Sequence, residues 1–244
     1  ILNEGKTLKY ASDDNEQADL NKIIYNTLRT PKGGEYALEL SDGTKVWLNA
    51  DTKLTYPAVF TGEERIVMIE GEAYFDVFED ASKPFIVKTK ETEITVLGTE
   101  FNITAYSDDI QNLTTLTEGK VLVKKMTDPD GRNEEVHLIP GQQAVYSKDT
   151  EIFNSRKVNT EIYTAWRRGL FYFEYETLEN MMKRLGRWYD FETEFTSEEL
   201  RTYHFSGTIK RYDSFDEILE LIALTTNISF HTEGKKVSVM QKTK

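Results

Sequence analysis

From about residue 23 to 153 the chain alternates apolar and polar residues in short runs broken by turn residues. Glu35-Tyr36-Ala37-Leu38-Glu39-Leu40 alternates, Ser41-Asp42-Gly43 turns, and Lys45-Val46-Trp47-Leu48-Asn49 returns. A period of two sends successive side chains to opposite faces of a strand. Asp-Gly between two such runs favours a hairpin, because both residues tolerate positive φ. Further strands are predicted at 65–69, 73–78, 85–89, 93–97, 101–106, 113–117, 120–125, 136–139 and 143–147. Asp128-Pro129-Asp130-Gly131 is predicted as a turn, with Pro pre-setting φ and Gly closing it. About ten short strands punctuated in this way mean a sandwich, a jelly roll or a β-helix. Glycines at 71, 98, 119 and 141 open strands at intervals of 27, 21 and 22 residues. A solenoid would hold its period, so a jelly-roll-like β-sandwich is expected.

The periodicity changes near residue 155. A short helix is predicted within 159–166, then a strand at Leu170-Phe171-Tyr172-Phe173-Glu174. Leu178, Met181, Met182, Leu185, Trp188 and Tyr189 fall on one face of a helix that Thr177 can cap. Strands follow at 191–195 and 203–209. Ser214-Phe215-Asp216-Glu217 has the capping-box spacing, and Phe215, Ile218, Leu219 and Ile222 make a second apolar stripe. Asn227 suits a left-handed stop, and strands at 228–231 and 236–240 end the chain. The tail is strand–helix–strand written twice. The expected organisation is a polar lead-in over 1–30, a β domain over 31–153, a linker with a short helix over 154–168, and a small βαββαβ domain over 169–244.

Composition narrows the function classes. The chain of 244 residues has a formal net charge of -12 and a pI near 4.9. Such a surface opposes a phosphate backbone, so no nucleic-acid partner is expected, and it disfavours an anionic membrane surface. The absence of cysteine removes zinc–thiolate sites, disulfides and thiol nucleophiles. No run approaches the roughly 18 apolar residues that span a bilayer. The sequence begins at Ile1, so any membrane anchor or targeting segment is expected upstream.

Several motifs, in order, carry a resemblance. Residues 26–36 with Leu40-Ser41-Asp42-Gly43-Thr44-Lys45-Val46-Trp47-Leu48-Asn49 resemble the periplasmic domain of FecR-type anti-sigma regulators, in the form found in Bacteroidetes. Glu70-Gly71-Glu72-Ala73-Tyr74-Phe75-Asp76-Val77, Val96-Leu97-Gly98-Thr99-Glu100-Phe101-Asn102, Leu116-Thr117-Glu118-Gly119-Lys120-Val121 and Pro140-Gly141-Gln142 match as well. Trp166-Arg167-Arg168-Gly169 and the doubled tail resemble that family's C-terminal domain. The tail is also similar to the short N-terminal domain of secretins and TonB-dependent transporters. The resemblance implies a periplasmic sensor anchored in the inner membrane. Its partners would be the N-terminal signalling domain of a TonB-dependent outer-membrane transporter and, through a cytoplasmic segment absent from this sequence, an extracytoplasmic-function sigma factor.

Candidate sites are few. The resemblance implies that Gly98–Thr99 could cleave itself: the Thr99 hydroxyl attacks the Gly98 carbonyl, and water opens the resulting ester. The plainer reading is a bulge opening a strand. Arg184 and Arg187, with Lys183, Arg167 and Arg168, could steer an acidic partner, or could line a solvated helix face. Tyr203 and Phe205 lie on a strand that could be an edge, so they are candidate partner contacts. Trp47, Trp166 and Trp188 are expected in cores. His137, His204 and His231 lack metal-ligand spacing, so neither metal nor cofactor is expected, and no catalytic pair stands out. A non-enzymatic regulator is expected. The alternatives are a carbohydrate-binding or adhesion module and a hydrolase with an unseen carboxylate pair.

Overall fold

The computed structural model describes residues 2–4, 7–9, 23–126 and 134–242. The turn expected at 128–131 and the polar run at 12–17 lie outside them. The chain divides into two units, one of residues 1–31 and 35–160, the other of residues 32–34 and 161–244.

The first unit is built from β1 (Leu2–Glu4), β2 (Thr7–Lys9), β3 (Tyr25–Thr30), β4 (Tyr36–Glu39), β5 (Lys45–Leu48), β6 (Thr52–Pro57), β7 (Arg65–Asp76), β8 (Phe85–Lys88), β9 (Thr92–Val96), β10 (Glu100–Ala105), β11 (Gln111–Glu118), β12 (Val121–Lys125), β13 (Glu135–Leu138), β14 (Gln142–Ser147) and β15 (Ile152–Lys157). One sheet runs β1-β2-β4-β5-β7-β10-β11-β14-β15, and the other β3-β6-β7-β8-β9-β12-β13. Most neighbours are antiparallel, while β2 with β4 and β7 with β8 are parallel. From β8 onward the chain alternates between the sheets, one pair of strands at a time. The inner faces share one core, including Leu38, Val46, Leu54, Val67, Phe75, Phe85, Ile94, Phe101 and Leu116. Phe75 and Phe101 stack there at 5.2 Å.

Strand β7 belongs to both sheets. Its first half pairs with β6 and β8, its second with β5 and β10. Two strands are predicted over this stretch with Glu70-Gly71 as a break, yet the chain stays extended through Gly71. Val67, Ile69, Gly71, Ala73 and Phe75 are all buried, so the inward alternation is never interrupted. Gly71 has φ +120° and marks the step from one sheet to the other.

The second unit contains α1 (Glu161–Thr164), a 3-10 turn (Ala165–Arg168), β16 (Leu170–Thr177), α2 (Leu178–Tyr189), β17 (Glu192–Phe195), α3 (Glu198–Arg201), β18 (His204–Lys210), α4 (Phe215–Thr225), β19 (Ile228–Glu233) and β20 (Lys236–Gln241). β16 and β18 form an antiparallel two-stranded sheet. β17, β20 and β19 form a second sheet, with β17 parallel to β20. The two helical stripes meet both sheets in one core, with Phe171, Phe173, Met181, Leu185, Ile218, Ile222, Val237 and Val239 buried. Thr177 caps α2 by accepting from the Asn180 amide, and Ser214 caps α4 by accepting from the Glu217 amide. The expected left-handed stop at Asn227 is absent. Thr226 ends α4 in extended geometry, its hydroxyl donates to the Ile222 carbonyl, and the Lys242 ammonium donates to the Ala223 and Thr226 carbonyls. A cation on the last carbonyls also suits the negative end of the helix.

Candidate functional site

The glycines at 71, 98, 119 and 141 share one role. Gly98 joins β9 to β10, Gly119 joins β11 to β12, and Gly141 joins β13 to β14, each a passage from one sheet to the other. Gly119 and Gly141 have φ of +92° and +82°, a region open to glycine and costly for other residues. A Cβ on Gly119 would lie 2.8 Å from both the Gly98 carbonyl oxygen and Thr99 Oγ1. A Cβ on Gly98 would lie 2.7 Å from the Glu79 Cβ. The passages at Gly98 and Gly119 therefore stack so closely that side chains are excluded, whereas a Cβ on Gly141 would meet nothing within 4 Å.

Gly98–Thr99 sits within this stack. Thr99 is buried, and its hydroxyl donates to the Lys120 carbonyl at 3.0 Å. The Val77 amide donates to the Thr99 carbonyl at 3.1 Å, and the Asp80 amide to the Leu97 carbonyl at 2.7 Å. Gly98 lies outside the left-handed region, so its need for glycine comes from the close approach of Glu79.

In the second unit Arg184, Arg187 and Arg168 are each engaged within the fold. Arg184 donates to Glu176 at 2.5 Å and to the Tyr172 carbonyl at 3.1 Å, with its guanidinium 4.7 Å from the Phe173 ring centre. Arg187 is buried. Arg168 is paired with Glu161, which holds the Glu161 carboxyl below its usual range. Tyr203 packs half-buried against the core, and its carbonyl accepts from the Leu178 amide at 2.6 Å. Phe205 also packs half-buried and lies on β18. Among the described residues β18 pairs with β16 alone. The middle of β18, Phe205-Ser206-Gly207-Thr208-Ile209, is uncharged, and the one lysine of the strand, Lys210, stands at its end, so the middle of this edge lacks the lysines and prolines that commonly block strand addition.

Sequence reasoning overlooks the buried cations. Arg211 is 1% exposed and lies over Trp188, with its guanidinium 3.8 Å from the indole centre, beside Phe171 and Trp166. Trp188 donates from Nε1 to the Arg211 carbonyl at 2.6 Å. Tyr189 donates to the Arg211 and Asp213 carbonyls, and burial pushes its phenol up to about 12. Tyr175 adopts φ +48° at a bulge and stacks on His204 at 4.1 Å.

The remaining chemistry is sparse. Among the described residues no group of three or more His, Asp or Glu could hold a metal ion. A polar cavity of about 150 Å³ in the first unit is lined by Arg29, Asp51, Lys53, Glu70, Tyr106 and Asp108. The Tyr106 hydroxyl is bonded to the Ala50 carbonyl at 2.8 Å. No helix among the described residues is long and apolar enough to cross a membrane.

The family model "FecR protein" matches residues 26–122, and "FecR, C-terminal" matches residues 170–239. Two crystal structures of a candidate anti-sigma factor from Parabacteroides distasonis ATCC 8503 are similar over nearly the whole chain. One, at 1.65 Å resolution, has 28% identity and a TM-score of 0.81, covering 89% of this chain and 100% of its own. The other, at 2.50 Å, has 29% identity and a TM-score of 0.80, covering 91% and 100%. No curated protein matches the sequence.

Proposed function

We infer the role of this chain from a premise that both family models supply: it belongs to the FecR family. Its role is regulatory, that of an anti-sigma factor. The finer reading is a periplasmic sensor anchored in the inner membrane by a segment outside this sequence. It would receive a signal from a TonB-dependent outer-membrane transporter and control an extracytoplasmic-function sigma factor through a cytoplasmic segment. The observation that carries this reading is the ordered match of both parts of the family, the second falling on the unit with the open β18 edge.

A partner strand added to β18 would gain main-chain hydrogen bonds, with adjacent side chains supplying choice. Phe205 and Tyr203 flank that edge and are proposed as partner contacts. Arg184 and Arg187 are assigned to the fold, since one is held by Glu176 and the other is buried. No catalytic step is proposed. The competing carbohydrate-binding reading draws little support from a small, charged cavity whose one ring has its hydroxyl tied to the main chain.

The test is calorimetric titration of the whole chain with the N-terminal signalling extension of a TonB-dependent transporter from the same organism. Saturable one-to-one binding is expected. Lack of binding, together with a hit on a glycan array, would replace this reading with the carbohydrate one.

A further inference from the structure

Helix α4 carries two stripes of the same spacing. Phe215, Ile218, Leu219 and Ile222 follow the i, i+3, i+4, i+7 pattern, and the last three are buried in the core of the second unit. Glu217, Glu220, Leu221 and Leu224 follow the same pattern two residues later. An offset of two residues is about 200° around a helix, so this second stripe faces away from the core. Leu221 is 53% exposed and Leu224 is 75% exposed.

Single exposed leucines need no explanation, but adjacent ones on one stripe do. The contrast with α2 is direct. The outward positions of α2 are Asn180, which is exposed, and the half-buried Glu179 and Lys183, and α2 has no exposed large apolar residue. A sequence selected only for folding and solubility would give α4 the same kind of outer face.

Charge narrows the occupant. Among the described residues no cation pairs with Asp213, Asp216, Glu217 or Glu220. Asp216 and Glu217 lie in the first turn, where the helix dipole favours them, whereas Glu220 lies beyond that turn and next to Leu221. A second copy of this chain would bring these acids against one another. An anionic lipid surface would be repelled in the same way. The complementary surface is a protein segment with apolar residues flanked by Lys or Arg.

We propose that the outer stripe of α4 is a docking surface for such a basic, apolar segment on the transporter's signalling extension. The inference rests on the transporter reading above and adds to it a second surface in the same unit. Its leucines give contact area, and its acids give orientation and a salt-dependent association rate.

The experiment titrates that extension into the wild-type chain, into Leu221→Lys with Leu224→Lys, and into Glu217→Lys with Glu220→Lys, at low and high salt. All four side chains point away from the core, so near-ultraviolet circular dichroism should match between the three proteins. The leucine pair is expected to weaken binding at least tenfold at both salts. The glutamate pair is expected to weaken it severalfold at low salt and to flatten the salt dependence. Wild-type affinity in the folded leucine variant would overturn the α4 surface while leaving the transporter reading intact. An unchanged salt slope in the glutamate variant would overturn the basic character assigned to the partner. Failure of the wild-type chain to bind the extension would remove both the reading and the surface built on it.

Discussion

Arg65 Nη1 lies 2.8 Å from Asp42 Oδ2, with the arginine side chain 2% exposed and the aspartate 12%. The same Asp42 accepts from the Thr44 amide and hydroxyl, and the Thr44 hydroxyl accepts from the Phe78 amide. Arg65 donates in addition to the Phe78 and Lys83 carbonyls. One buried ion pair thus ties the β4–β5 hairpin turn to the start of β7 and to the passage leading into β8.

Removing one partner strands the other charge in the interior, which costs about 3–5 kcal/mol. Asp42→Ala is therefore expected to lower the urea midpoint sharply. The double variant Asp42→Ala with Arg65→Met should be more stable than Asp42→Ala alone. A loss in the double variant equal to the sum of the losses from Asp42→Ala and Arg65→Met made singly would show that the pair does not couple.

Gly119 and Gly141 both have positive φ, but only Gly119 faces neighbours. Gly141→Ala should cost about 1–2 kcal/mol from backbone conformation alone. Gly119→Ala adds contact with Gly98 and Thr99, so a further ~1–3 kcal/mol is expected. Chemical denaturation of the two variants checks the order, and a costlier Gly141→Ala would contradict the stacking of the passages.

The Gly98–Thr99 bond is expected to stay intact. The Thr99 hydroxyl is committed to the Lys120 carbonyl, and Gly98 is not held in left-handed geometry. Intact-mass spectrometry of fresh and aged protein should give one species. Two fragments ending at Gly98 and starting at Thr99, summing to the intact mass plus water, would show that the hydroxyl attacks the preceding carbonyl.

Tyr189 supplies an alkaline signature. Burial and Asp213 raise its phenol from 10.0 to about 12. The folded state then binds this proton more tightly than the unfolded state. Its contribution to stability is complete below pH 10 and is lost as pH rises through about 12. Tyr189→Phe should remove a step near pH 12 from a tyrosinate absorbance titration and flatten the stability decline above pH 10. An unchanged absorbance titration would refute the assignment.

Much of this was legible in the residue pattern, and the gaps have physical causes. The stripe ending at Trp188 and Tyr189 marked α2, because helix burial repeats along a single chain segment. On sequence alone β7 divides in two because Gly71 carries a turn signal, while its tolerance of φ +120° serves a bend inside a strand. Strands β3 and β15 are largely exposed, so their alternation in polarity is weak. Arg65 and Arg211 look like surface residues in isolation. Their burial depends on Asp42 and on Trp166 and Trp188, partners that only the folded chain brings near. Arg184 and Arg187 suggest a basic patch for the same reason, since Glu176 and the burial of Arg187 belong to the folded chain. The leucines at 221 and 224 were present in the sequence, but nothing local distinguished them from the buried stripe beside them.

Because β7 lends its first half to one sheet and its second half to the other, neither sheet is a separable part. A cut anywhere within β7 deprives both of a central strand. Pulling β7 out must break its pairing with β5, β6, β8 and β10 in the same event. The first unit should therefore lose its slow-exchanging amides in both sheets together, as one cooperative block with no half-molecule surviving on the way.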